Sequence, residues 1–140
     1  MMERRLRRTS LYIPGTNPGM LANASVYGAD SIILDLEDGV PVSEKDAARI
    51  LVRNALRAIR YRGVEVTVRV NALCTPFGKD DFEEIIPLAP DAIHDHMLGI
   101  LPRGHAAPPL GVHIGRLGGH LTQRIGDLVE KAVHRLPMFV

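Results

Sequence analysis

The chain has 140 residues, 46% of them hydrophobic, and a formal net charge of +1, enough for one modest buried core in a single soluble domain. Near-neutral charge gives no reason to expect a nucleic-acid or membrane partner, and apolar runs such as Ile32-Ile33-Leu34 are far too short to cross a bilayer. Cys74 stands alone, which excludes an internal disulfide and fits a reducing, cytoplasmic setting.

The N-terminus carries Arg4, Arg5, Arg7 and Arg8. A strand-like Leu11-Tyr12-Ile13 follows at once, with no apolar stretch or cleavage site before it, so these arginines read as a frayed basic end rather than a transit peptide. The alternative is that one of them meets a phosphate or a carboxylate. The strand stops at the turn signal Pro14-Gly15. Pro18 to Val26 then suits a short helix, with Asn17 as N-cap and Pro18 in the first helical position. Ser31 to Leu34 is a compact apolar run, as in a buried parallel strand, and it ends abruptly in Asp35-Leu36-Glu37-Asp38-Gly39.

The next helix is the clearest local signal. Ser43 is placed to cap it, with Asp46 three residues on. Ala47, Ile50, Leu51, Ala55, Leu56 and Ile59 share one face at three- and four-residue steps. Arg57, Arg60 and Arg62 gather at its negative end, and Gly63 stops it. Val64 to Val70 reads as a third strand. A loop at Thr75-Pro76-Phe77-Gly78 leads to a third helix, Asp80 to Ile86, ended by Pro87, and Ala92-Ile93 opens a fourth strand. Strands alternating with helices over short loops, with a repeat of roughly 30 residues, predict a parallel sheet with helices outside it.

After Ile93 the composition changes. All six histidines (His94, His96, His105, His113, His120 and His134) fall there, with Gly/Pro-rich stretches from Pro102 to Gly111 and from Gly115 to Gly119. A regular helical face returns only between Leu121 and Leu136. This divides the chain into an α/β part, residues 1–93, and a divergent tail, 94–140, poorly specified except for a possible helix at 121–136. His94-x-His96 is the start of a zinc-like spacing, but no second pair completes it. Incidental histidines are the better reading.

Parallel βα architectures collect functional groups where strands end and loops begin. Strand one ends in Pro14-Gly15-Thr16-Asn17, strand two in Asp35, Glu37 and Asp38, and strand three in Arg69 and Asn71. Carboxylates beside a guanidinium suit an anionic substrate, a metal-linked water, or both. The same residues also have plain uses, as helix caps, a surface ion pair and a turn.

Several of these segments, taken together, are similar to the citrate lyase beta subunit family. They are Arg8-Thr9-Ser10-Leu11-Tyr12-Ile13-Pro14-Gly15-Thr16-Asn17, Asp35-Leu36-Glu37-Asp38-Gly39-Val40, Glu44-Lys45-Asp46-Ala47-Ala48-Arg49, Arg69-Val70-Asn71 and Thr75-Pro76-Phe77-Gly78-Lys79-Asp80-Asp81. They come in the family's order and spacing over roughly residues 4–93. The resemblance implies the first three to four βα units of a TIM (β/α)8 barrel, truncated and followed by an atypical C-terminal tail. The barrel so implied would be that of the phosphoenolpyruvate-binding lyase superfamily, which also holds the malyl-CoA lyases. It implies a Mg²⁺-dependent carbon–carbon lyase that splits a citryl thioester into oxaloacetate and an acetyl thioester. The substrate would arrive on coenzyme A or a carrier protein, and a true beta subunit would assemble with alpha and acyl-carrier subunits. By its match to the motif, Arg69 would bind the oxaloacetate carboxylate. Glu37 and Asp38 would form the catalytic acidic pair near the metal, and Pro14 and Gly15 would lie against the ligand.

The resemblance also implies two Mg²⁺ carboxylates on later strands, in Ile-Glu-Ser-like and Gly-x-x-Asp-Tyr-like segments that this chain lacks. Where the family continues with an Arg-x-Pro-Lys run, this chain reads His94-Asp95-His96-Met97. Truncation, a frameshift or a fused terminus would each produce that change. With about 250 residues needed to close a barrel, the expectation is a chain that holds no metal by itself and is inactive alone. Another acyl-CoA lyase, or a non-catalytic remnant or interaction protein, are the alternatives.

Overall fold

A computed structural model describes residues 7–95 and 99–102. Five strands form one sheet in the order β1-β2-β3-β4-β5: β1 Ser10–Pro14, β2 Ser31–Asp35, β3 Glu65–Val70, β4 Ala92–Asp95 and β5 Gly99–Pro102. The helices are α1 Pro18–Asn23, α2 Lys45–Ala58 and α3 Gly78–Ile85. The first four strands are parallel, so residues 11–93 do form three consecutive βα units leading into a fourth strand. The predicted helix at 121–136, the histidines beyond His94, and Arg4 and Arg5 lie outside the described residues.

Each unit follows from its local sequence. Asn17 caps α1, its side chain accepting from the Met20 N–H at 3.0 Å, and Pro18 occupies the first turn. A 3₁₀ turn over Ala24–Tyr27 prolongs the helix to Gly28, whose φ of 75° suits glycine. β2 and β3 are largely buried, as apolar parallel strands require. Ile13, Ile32, Leu34, Val52, Val68 and Phe82 are among the residues of the core cluster.

Two details of α2 differ from expectation. Ser43 does not cap it: Val42–Glu44 form a 3₁₀ turn, and α2 starts at Lys45 with no side-chain cap. The turn itself already engages the Glu44 N–H with Pro41 O at 2.9 Å and the Lys45 N–H with Val42 O, leaving less for a capping hydroxyl to do. The buried face is also rotated. Ala47 and Ile50 are exposed, whereas Lys45, Ala48, Arg49, Val52 and Ala55 are buried. Two long charged side chains occupy the inward face because each has an internal partner.

The third helix begins at Gly78, two residues before the predicted start, and Pro87 sits in a 3₁₀ turn, Ile86–Leu88, that follows it. Two N-terminal arginines meet carboxylates: Arg7 Nε lies 2.7 Å from Glu65 and Arg8 Nη2 lies 3.0 Å from Asp30. β4 runs two residues past 93, and β5 pairs with it antiparallel. Only residues 96–98 separate these strands; a parallel return needs a crossover of about a dozen residues, so a hairpin is the connection that fits.

Candidate active site at the strand ends

The register places Pro14 beside Asp35, Asp35 beside Arg69 and Arg69 beside His94. Four neighbouring strands thus deliver their last or near-last residues to one end of the sheet. Asp35 is 3% exposed and is the hub of this end. Its Oδ1 accepts from the Glu37 N–H and from Arg69 Nε, both at 2.8 Å. Its Oδ2 accepts from the Gly39 N–H at 2.8 Å and from Arg69 Nη2 at 2.7 Å. Arg69 Nη1 donates to Asp38 Oδ2 at 3.2 Å, and Glu37 Oε2 lies 3.5 Å from Arg69 Nε. The Tyr12 ring sits under the guanidinium, 4.9 Å from its carbon to the ring centroid.

The electrostatics follow from these contacts. Burial alone would push the Asp35 carboxyl up, but the Arg69 hydrogen bonds, the two backbone N–H groups and the Arg69 charge outweigh it and hold the carboxyl below its usual range. Hydrogen bonding to Asp35 in turn raises the Arg69 guanidinium, aided by the charges of Asp35, Glu37 and Asp38. Glu37 Oε2 is buried and accepts no hydrogen bond, whereas Asp38 has a side chain 80% exposed.

A second layer fixes the acidic loop from beneath. Lys45 Nζ donates to the Leu36 and Glu37 carbonyls at 2.8 and 2.5 Å; burial lowers the ammonium below its usual value, against the pull of the surrounding carboxylates. Asn71 Nδ2 donates to Leu36 O at 2.8 Å and to Asp81 Oδ2 at 2.7 Å, and the Asn71 N–H also reaches Asp81. Asp81, fully buried, pairs with Arg49 Nε at 2.8 Å. Burial would lower the Arg49 guanidinium, but hydrogen bonds and charge from Asp81 and then Asp46 hold it above its ordinary value. Lys45, Arg49 and Asp81 were not among the predicted site residues. The signal for the first two was their spacing, because positions 45, 49 and 52 recur at i, i+4 and i+7 on one helical face.

Glu37, Asp38 and Arg69 are therefore brought together, as their strand-end positions suggested. Gly15 is nearby but packed inward. Its N–H donates to Asp35 O at 2.8 Å, and a Cβ there would stand 2.7 Å from that oxygen and 3.1 Å from side-chain atoms of Leu36 and Val52. Packing accounts for this glycine. A depression of about 460 Å³ lined by Thr9, Leu11, Met20 and Tyr27 lies around the start of β1, away from the Asp35–Arg69 pair, and has no charged side chain in its lining.

The carboxylates of this cluster do not fit a magnesium anchor. Asp35 is saturated by four donors, and the remaining two acids share the Arg69 cation. Mg²⁺ wants near-octahedral oxygen, and among the described residues no three His, Cys, Asp or Glu side chains gather to hold a metal ion. Nor is any described helix long and apolar enough to cross a membrane.

The fold is a parallel βα sheet with a guanidinium held among carboxylates at the end of its strands, the end where α/β proteins of parallel βα architecture, barrels included, carry their functional groups. The family model for HpcH/HpaI aldolase/citrate lyase matches residues 8–94, and the chain belongs to that family. It is 47% identical over 93 residues to the citrate lyase subunit beta of Leuconostoc mesenteroides subsp. cremoris, covering 66% of this chain and 31% of that one. It is 41% identical over 86 residues to a (3S)-malyl-CoA thioesterase of Cereibacter sphaeroides, covering 61% and 30%. Among solved structures, protein CitE from Mycobacterium tuberculosis in complex with magnesium and acetoacetate superposes with a TM-score of 0.52 at 32% identity, covering 65% of this chain and 37% of that one. The chain thus spans about a third of the length of these relatives.

Proposed function

We propose that the strand-end cluster is the carboxylate-binding half of a citrate lyase beta-type site, acting on a citryl thioester of coenzyme A or a carrier protein. The observation that carries this reading is the Arg69 guanidinium, held side-on by buried Asp35 at 2.7 and 2.8 Å with two terminal-nitrogen hydrogens left over. Of the four hydrogens on Nη1 and Nη2, one goes to Asp38 and one to Asp35. One therefore remains on each nitrogen, suited to the two oxygens of a substrate carboxylate.

Retro-Claisen cleavage passes the proton of the substrate hydroxyl to a base. The hydroxyl carbon becomes a ketone as the carbon–carbon bond breaks, and the electron pair of that bond leaves on the thioester as an enolate, whose carbon then takes up a proton to give the acetyl thioester. In this chain Arg69 would fix the carboxylate next to the new ketone. Glu37, whose Oε2 is ion-paired with Arg69 but accepts no hydrogen bond, and the exposed Asp38 would orient the substrate or a water there, and Pro14, with Gly15 behind it, would form the wall of the site. The described carboxylates, taken up by Arg69 and backbone N–H groups, do not fit a Mg²⁺ anchor. The relative that is a malyl-CoA thioesterase favours a second reading, another acyl-CoA substrate at the same Arg69. A citrate lyase beta function further implies assembly with alpha and acyl-carrier subunits in the cytoplasm.

The test is a titration of the ¹⁵N-arginine-labelled chain with oxaloacetate. A saturable shift of the Arg69 side-chain resonance, lost in Arg69→Lys, supports the reading. An Arg69 signal that oxaloacetate leaves unmoved overturns it.

A further inference from the structure

We propose that Asp35 is the positioning residue for the Arg69 guanidinium, and that position 39 is glycine because Asp35 needs that backbone at contact distance. The inference rests on the carboxylate-binding reading of Arg69. Asp35 spends all four of its acceptor sites on donors: two from Arg69 and one each from the Glu37 and Gly39 N–H groups. The two backbone donors hold the carboxylate in one orientation. A carboxylate so held presents a fork that only one guanidinium orientation can match. Tyr12 beneath the guanidinium restricts it from the face.

Gly39 supplies the independent observation. Among the described residues only Gly28, Gly63 and Ala89 have positive φ, so backbone freedom does not explain this glycine, which is also exposed. A Cβ at position 39 would stand 2.6 Å from Asp35 Oδ2, well inside van der Waals contact. Any side chain would push the carboxylate off the position where it meets Arg69 Nη2. Glycine is needed here for what it lets Asp35 do.

The experiment uses the 140-residue chain, ¹⁵N-labelled at arginine, with Arg69→Lys to identify the Arg69 Nε–H signal and circular dichroism to confirm equal folding. In the parent chain that proton should exchange with water about tenfold or more slowly than the same proton of exposed Arg57. Asp35→Asn removes the charge and one acceptor; Gly39→Ala keeps the charge and displaces it. Both should return Arg69 Nε–H to the rate of an exposed arginine and raise the Kd for oxaloacetate about tenfold or more. Retained protection in both variants, or unchanged oxaloacetate affinity where the parent chain binds it, overturns the proposal. If Asp35→Asn does not fold, Gly39→Ala decides alone. If the parent chain fails to bind oxaloacetate, the carboxylate reading falls, while exchange at Arg69 still decides whether Asp35 positions it.

Discussion

The buried pair under the site offers a stability prediction that isolates one atom. Asp81→Asn changes an oxygen to an amide nitrogen where the carboxylate accepts from Arg49 Nε on one side and from both Asn71 donors on the other. Whichever way the new amide turns, its NH₂ faces a donor. Turned toward Arg49, it opposes a guanidinium whose side chain is 6% exposed; turned toward Asn71, it breaks two bonds. Removing one partner of a buried ion pair typically costs about 3–5 kcal/mol. Arg49 keeps Asp46 at 3.0 Å, an exposed partner, so the lower end, about 3 kcal/mol, is expected. For a body of this size that is a drop of roughly 10–20 °C in Tm. Urea unfolding of the parent chain, Asp81→Asn and the neighbouring Asp80→Asn measures it. Asp80 is exposed and should change stability by less than about 0.5 kcal/mol. A loss below about 1 kcal/mol for Asp81→Asn would refute the view that this carboxylate holds the loop together.

Three further outcomes are expected. In a barrel completed with family sequence, Arg69→Lys should weaken oxaloacetate binding or turnover by about 2–5 kcal/mol, because an ammonium lacks the fork; unchanged kinetics would remove Arg69 from the site. The Asp30 carboxyl is lowered from 3.8 to about 2 by its hydrogen bonds from Arg8. Its contribution is therefore present above pH 3.8 and lost as pH falls toward 2, and Asp30→Asn should flatten the stability profile in that window. The 140-residue polypeptide assayed by itself should show no saturable micromolar Mg²⁺ binding by calorimetry and no oxaloacetate release from citryl-CoA above buffer; either result would reveal metal ligands outside the described residues or an assembly that supplies them.

The alternation of strands and helices was legible because parallel strands buried on both faces read as compact apolar runs, and Asn17-Pro18 marks its helix start unambiguously. The meeting of Arg69 with Glu37 and Asp38 was legible too, since strand ends of neighbouring parallel strands share one end of the sheet. What failed was the inward face of α2. Hydrophobic periodicity counts Lys45 and Arg49 as outward, and nothing local to the helix says that Asp81 and the Leu36 and Glu37 carbonyls await them. Asp35 was visible as a strand-end acid, but its rank over Glu37 depends on backbone N–H groups whose direction the sequence does not state. The hairpin of β5 lay in a segment whose composition carried no strand signal.

The contacts that aim Arg69 come from Tyr12, Asp35, the Glu37 and Gly39 backbone, and Asp38, with Lys45, Asn71, Arg49 and Asp81 behind them. All lie within the first three βα units. The orientation of the Arg69 guanidinium, which the proposed carboxylate contact would use, is therefore built before any later strand is needed, whereas the described carboxylates do not form a metal anchor. In a lyase of this kind the two tasks are chemically distinct: one fixes the ground-state geometry, the other stabilises charge as the bond breaks. A chain carrying only the first should bind small oxo acids without cleaving thioesters, and its affinity should follow Asp35 and Gly39 rather than Mg²⁺. Binding and turnover thus report on different parts of the family's architecture, and loss of the second leaves the first open to measurement.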